Sequence, residues 1–241
     1  MYLLGMQFTY SPSISPDDYS RVEHSPLFTS WIEKVQMGFR VTGVHFESAD
    51  FVTRKGQRIL LFLKLKASAT DEKGTRVPGI VVLRGNVVAV LIVLWCESKP
   101  YLLLVDQPRF AIGERHSLEI VAGMLDWSAD WRKVALEELH EEAGMQVDDS
   151  ELIELSPSLA VSCGLLDERI HLAAVERTVT PEELAKYDDR EQTYLEENEG
   201  IRTVVLPYED AASRFLDAKC LNALYLYERW KRGGYEFRSV K

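Results

Sequence analysis

The chain has 241 residues, 46% of them apolar, which suffices for one large domain or a domain with a smaller lobe and argues against long disorder. Its 28 basic and 38 acidic residues leave a net charge of −10, which speaks against a nucleic-acid partner, because binding that backbone relies on Lys and Arg neutralising phosphates. The same balance admits a small phosphorylated ligand, held by a few arginines and by cations on carboxylates.

The N-terminal stretch MYLLGMQFTYSPSISPDD has no basic region followed by a long apolar core, so no secretory signal is read there. Residues 1–35 read as a loop followed by a short helix, and VTGVHFESADFV and RILLFLKLKAS as strands, the second alternating as a half-exposed strand does. TDEKGTRVPG at 70–79 reads as a hairpin turn. IVVLRGNVVAVLIVLW at 80–95 and YLLLVDQPRF at 101–110 read as core strands. The longest apolar run, VVAVLIVLW at 87–95, falls well short of the roughly 20 residues of a membrane span, so no membrane partner is expected. LEIVAGMLD at 118–126 reads as a glycine-bearing turn. A helix is expected from 129 to 143, capped by Asp126 or Ser128 and stopped by Gly144. ELIELSPSLAVS, RIHLAAVER and RTVVLPYED follow as strands, the acidic stretch 181–200 lies among them, and residues 211–232 close as a helix. Cys96, Cys163 and Cys220 form no CxxC pair and read as reduced thiols of a cytoplasmic protein, with an organelle address left open. The order of strands and helices gives an α/β or α+β class with a mixed sheet. The expected division is a β-rich lobe at 1–80, a dimerisation element, before a main domain at 81–241.

The chemistry concentrates in VALEELHEEAGM at 134–145. Glu138 and Glu142 are spaced i, i+4 and share a helix face, with Glu141 beside them. Like charges at this spacing repel, and a divalent cation would turn the repulsion into attraction, since hard ions such as Mg²⁺ favour carboxylate oxygen. An acidic solvent face is the alternative.

Residues 123–145 resemble the Nudix box, G-x5-E-x7-R-E-U-x-E-E-x-G-U with U aliphatic. Gly123, Glu138, Leu139, Glu141, Glu142, Gly144 and Met145 match in register, while Ala129 and Glu137 stand where the box has Glu and Arg. VPGIVVLRGNVVAVLIVL, VDQPRF, SLEIVAGMLD and SCGLLDERIHL are similar, in order and spacing, to the ADP-ribose and ADP-sugar pyrophosphatase branch. GQRILLFLKLKA with VPGIVVLRG is similar to the plant-type ADP-sugar diphosphatases.

The resemblance implies an α/β/α sandwich around a mixed sheet and a homodimer. It implies Mg²⁺ (or Mn²⁺) on Glu138, Glu142, Glu168 and the Ala122 carbonyl, with Glu141 as a further candidate. Glu168, Glu142 and Glu141 are the implied catalytic carboxylates, Glu168 as metal ligand or general base and Asp167 as its runner-up. Arg109 is implied to contact phosphates, Arg84 to contact nucleotide or partner, and Glu119 to orient the loop or touch a metal indirectly. Asp130, Arg132 or Lys133 are candidates to replace the box brace lost at Ala129 and Glu137. Trp127 and Trp131 are candidates for base stacking or core packing, and His140 is expected to point away from the metal face.

The function implied is Mg²⁺-dependent hydrolysis of a nucleoside diphosphate sugar (ADP-ribose, ADP-glucose or UDP-glucose) to a nucleoside monophosphate and a sugar phosphate. The alternative is a Nudix-fold nucleotide-sugar binder weakened in catalysis. A third reading is another specificity of the family, such as a dinucleoside polyphosphate or a coenzyme A derivative.

Overall fold

The computed structural model describes residues 5–54, 56–125, 130–190 and 201–233. The chain divides into two compact units, 1–86 with 162–168, and 87–161 with 169–241.

In the first unit, β1 (Gln7–Tyr10), β2 (Arg40–Arg54), β3 (Gln57–Thr70) and β4 (Ile80–Leu83) form one sheet in that order, with β1 parallel to β2 and the other pairs antiparallel. The N-terminal segment is not a loop with one short helix. It holds β1 and two helices, α1 (Pro16–Glu23) and α2 (Pro26–Gln36). Each helix starts at a serine cap followed by proline at its first position, Ser15–Pro16 and Ser25–Pro26. That pairing meets an orphan donor and presets φ, and repeating it restarts the chain as a second helix. Strand alternation sends Val44, Phe46, Leu63 and Leu65 to one face, where they pack on Val22, Leu27, Phe28 and Ile32. The turn after β3 forms as read, with the Asp71 carboxylate accepting from the Lys73 and Thr75 amides.

The expected strand at 80–95 is two strands. Gly85 sits at φ 82°, a left-handed conformation that ends β4, and β5 (Val87–Cys96) begins the second unit. Here β11 (Arg202–Pro207), β6 (Lys99–Arg109), β5, β10 (Arg169–Thr178) and β9 (Ile153–Ala160) lie side by side, with β5 and β10 parallel. β7 (Glu114–Glu119) pairs with β6, and β8 (Val121–Met124) pairs with β5.

β5 is apolar on both faces, as a central strand covered on two sides must be. Val88, Val90, Ile92 and Leu94 join the core beneath α3 (Trp131–Ala143), while Val87, Ala89, Leu91 and Val93 join the core beneath α6 (Ala218–Lys231). The unit is a helix–sheet–helix sandwich around a mixed sheet. Two short helices complete it, α4 (Pro181–Tyr187), which takes up the start of the acidic stretch, and α5 (Tyr208–Ala211). Residues 191–200 of that stretch lie outside the described residues. Among the described residues, no helix is long and apolar enough to cross a membrane.

Candidate active site

α3 carries the acidic cluster. It begins two residues later than the sequence suggested. Its N-cap is Asp130, whose carboxylate accepts from the Arg132 and Lys133 amides at 3.2 and 3.3 Å. The expected caps Asp126 and Ser128, like Trp127 and Ala129, lie outside the described residues. The C-terminus forms as read. Gly144 takes φ 63°, its amide reaches the His140 carbonyl at 3.0 Å, and the Met145 amide reaches Leu139 at 2.9 Å. This double closure is the usual glycine stop, and buried Met145 supplies its apolar contact.

Val134, Ala135, Leu139 and Ala143 seat α3 on the sheet. That fixes the rotation of the acids. Glu142 is buried, Glu138 half-buried, and Glu137, Glu141 and His140 exposed. Glu137, where the box has Arg, meets only surface company, Lys133 at 3.8 Å. Other contacts brace the helix start. Arg132 donates to the Asp149 carbonyl and carboxylate at 3.2 and 3.4 Å, and Trp131 stacks on His171 of β10 with centroids 4.0 Å apart. Trp131 is thus committed to packing, with the Arg132 guanidinium over its ring at 4.5 Å from the centroid.

Glu142 and Glu138 meet β8. The Ala122 amide donates to Glu142 Oε2 at 3.1 Å. A residue's N–H and C=O leave a strand on the same side, so the Ala122 carbonyl also faces away from β5. Gly123 is not part of a turn. It pairs with Val88 inside β8, and a Cβ there would overlap the Glu138 carboxylate. The glycine is required by that close approach, not by backbone curvature.

Beside this cluster, Arg109 at the end of β6 holds Glu119 with both arms of its guanidinium, Nε to Oε1 at 2.6 Å and Nη2 to Oε2 at 2.8 Å. Glu119 is 1% exposed, while the Arg109 side chain is 43% exposed. Ser117 Oγ donates to Glu119 Oε1 at 3.0 Å, and Lys219 Nζ lies 2.5 Å from Oε2. Burial alone would raise the Glu119 carboxyl, but Arg109 and Lys219 outweigh it and hold it at about 2. Lys219 also pairs with Asp217, the N-cap of α6. Next along, Cys220 Sγ receives the Ile120 amide at 3.3 Å. Sequence reasoning missed Lys219 and Cys220, because no motif links them to Glu119 and Ile120. The only signal is Asp217 as a helix-start residue, which places the following side chains on the first turn.

Glu168 and Arg84 belong to the first unit. Arg84 Nη1 lies 3.0 Å from Glu168 Oε1, and Glu168 is 6% exposed. Asp167 Oδ1 accepts from the Arg84 amide at 2.8 Å and from the Gly85 amide at 3.4 Å. Asp167 therefore fastens the 162–168 loop to the end of β4.

The oxygen chemistry around Ala122 suits a hard divalent cation. Glu138 and Glu142 crowd one strand edge, and the bare Gly123 leaves the Glu138 carboxylate its place there. Among the described residues, no three His, Cys, Asp or Glu side chains gather as a complete ligand set. The cluster in this unit is two carboxylates and a backbone oxygen, so water or substrate would have to complete the shell.

No family model matches the chain. It is 32% identical over 239 residues to Nudix hydrolase 14, chloroplastic, of Arabidopsis thaliana, covering 92% of this chain and 76% of that one. Its fold is similar to that of a solved ADP compounds hydrolase, with a TM-score of 0.55 and 19% identity over 81% of this chain and 95% of that chain. Hydrolases of this family generally use divalent cations. The extent and identity of the first match, on the fold just described, show that the chain belongs to the Nudix hydrolase family.

Proposed function

We propose that the chain hydrolyses the diphosphate bond of a nucleoside diphosphate sugar, ADP-ribose, ADP-glucose or UDP-glucose, with Mg²⁺ or Mn²⁺ as the cation. The observation that carries this reading is the apposition of Glu138 and Glu142 to Ala122 and Gly123, with Arg109 held nearby on buried Glu119. Glu138, Glu142 and the Ala122 carbonyl would hold the cation, and Glu168 is proposed as a further ligand or as general base. The cation, when bound, supplies charge neutralisation on the diphosphate and a lowered pKa for water. Arg109 turns its exposed guanidinium edge to a phosphate, the planar donor set such a group favours. Buried Glu119 orients it. Glu141, exposed on the same helix, is proposed as a further catalytic carboxylate that would join the cation's ligands, and Arg84 orients Glu168. One water adds across the P–O–P bridge, giving the nucleoside monophosphate and the sugar phosphate.

The names of the two similar proteins support this class, since one is called a Nudix hydrolase and the other an ADP compounds hydrolase. Residues 1–80 are proposed as the dimerisation element. The relative's name places that protein in the chloroplast, so cytoplasm and organelle are both proposed compartments for this chain, to be separated by fractionation. The exposed Glu137 in place of the box arginine favours a second reading, a binder without turnover.

The test is incubation of the purified chain with Mg²⁺ and ADP-ribose, ADP-glucose, UDP-glucose, a dinucleoside tetraphosphate or coenzyme A, beside Glu142→Gln. Monophosphate release from a nucleotide sugar, lost in the variant, is the expected result. Thermal stabilisation by the same compounds with no product would replace the enzyme by the binder.

A further inference from the structure

Arg109 is a half-exposed cation whose guanidinium is already spoken for by a carboxylate. A simple ion pair of that kind would be a poor anion site, because the charge of Glu119 cancels that of Arg109 at close range. The second cation on the same carboxylate changes this. Lys219 Nζ lies 2.5 Å from Glu119 Oε2, and the Lys219 side chain is 10% exposed. Arg109, Glu119 and Lys219 together carry one net positive charge, which Asp217 on the same ammonium offsets, and the exposed member of the cluster is Arg109. Lys219 is itself fixed from below. Asp217 caps α6 by accepting the Lys219 amide at 2.7 Å and pairs with its ammonium, and Cys220 takes the Ile120 amide one residue after Glu119. The first turn of α6 therefore grips two consecutive residues at the β7–β8 junction, the Glu119 side chain and the Ile120 amide.

We infer that Lys219 is a positioning residue, which balances the Glu119 carboxylate so that Arg109 keeps both its orientation and its attraction for a phosphate of the substrate. This rests on the proposed role of Arg109 in binding that phosphate. Without Lys219, a buried carboxylate would be left with one cation. It would draw on Arg109 alone, and with Asp217 beside it the cluster would turn net negative toward an incoming anion.

The test measures kcat and KM for ADP-ribose with Mg²⁺, and the dissociation constant of inorganic pyrophosphate by calorimetry. The proteins are wild type, Lys219→Met, Lys219→Arg, Arg109→Gln and the Lys219→Met/Arg109→Gln pair. Lys219→Met is expected to raise KM and the pyrophosphate constant about tenfold, the scale of one charge-assisted hydrogen bond, with kcat changed less than about twofold. Lys219→Arg restores both constants. In the Arg109→Gln background, Lys219→Met adds no further loss, because its effect passes through Arg109. An equal loss in both backgrounds would overturn the inference. Should Lys219→Met fail to fold, Glu119→Gln is compared with Glu119→Gln/Lys219→Met: with no carboxylate left to balance, equal pyrophosphate constants are expected, and a further loss of about tenfold in the pair is the contrary result. An Arg109→Gln protein that binds pyrophosphate normally would sink the phosphate role of Arg109 itself. A loss in Arg109→Gln without coupling would sink only the inference about Lys219.

Discussion

The Glu138 carboxylate occupies the space where a side chain at Gly123 would begin. Residue 123 is therefore bound to the acid of the helix, not to the shape of the loop. The displaced group in Gly123→Ala would be the far end of a flexible side chain, so the fold should survive with a loss of about 1 kcal/mol. The carboxylate would have to leave the strand edge. Mn²⁺ affinity should fall on the order of tenfold to a hundredfold, the range seen when the support of a metal ligand is disturbed. Calorimetric titration with Mn²⁺ beside a thermal melt separates the two effects, and an unaltered affinity would remove Gly123 from the site.

Glu119 gives the fold an acid limit. Its carboxyl lies at about 2 in the folded chain against an ordinary 4.5. A carboxyl lowered on folding contributes stability that is complete above the unfolded value and fades as pH drops toward the folded one. Between pH 4.5 and about 2 the chain should lose about 3 kcal/mol through this group. Glu119→Gln should be less stable at neutral pH and should show a shallower loss over that window in chemical denaturation. Parallel curves for the two proteins would contradict it.

His171 sets a second, milder dependence. It is buried under Trp131, and burial pushes its pKa below the ordinary 6.5, against the opposing pull of Glu154 and of the Pro157 backbone; Arg132 adds to the lowering. The unfolded chain then takes up this proton before the folded one, and stability falls as pH drops below about 6.5. His171→Phe keeps a ring against Trp131 and removes the proton. Its melting temperature should change less between pH 7.5 and 5.5 than that of wild type, and an identical slope would show that His171 is not the group involved.

The three thiols should separate by access. Cys96 and Cys220 are buried and Cys163 is exposed. Burial also pushes the Cys220 thiol up to about 12. A chromogenic disulfide at pH 8 should titrate one thiol rapidly in the native chain and three after unfolding, with the fast one absent in Cys163→Ser. Two fast thiols would mean that the α6 start opens readily in solution.

The sandwich core was legible because its signals are local. β5 and β6 declare themselves by unbroken apolar runs, and α3 by its period and its glycine stop. The box register placed Glu138 and Glu142, and the structure seats Glu142 on the Ala122 amide and Glu138 against Gly123. What stayed hidden depends on contacts distant in sequence. Gly123 looks like any turn glycine until Glu138 is seen against it. Lys219 meets Glu119 across 100 residues of chain. Trp131 kept base stacking as an alternative to packing until His171 was found beneath it. The break at Arg84–Gly85–Asn86 was hidden by apolar runs on both sides, although the glycine between them was the available signal.

The central claim is that Glu138 and Glu142 hold a cation in the service of diphosphate hydrolysis. Its most direct test follows bound Mn²⁺ by electron paramagnetic resonance, and AMP release from ADP-ribose or ADP-glucose and UMP release from UDP-glucose, in the same samples of wild type, Glu138→Gln and Glu142→Gln. The account predicts binding and product in wild type and loss of both in each variant, with the folded state intact by thermal melt. Undiminished Mn²⁺ binding in both variants, or product release that ignores chelation by EDTA, would contradict it.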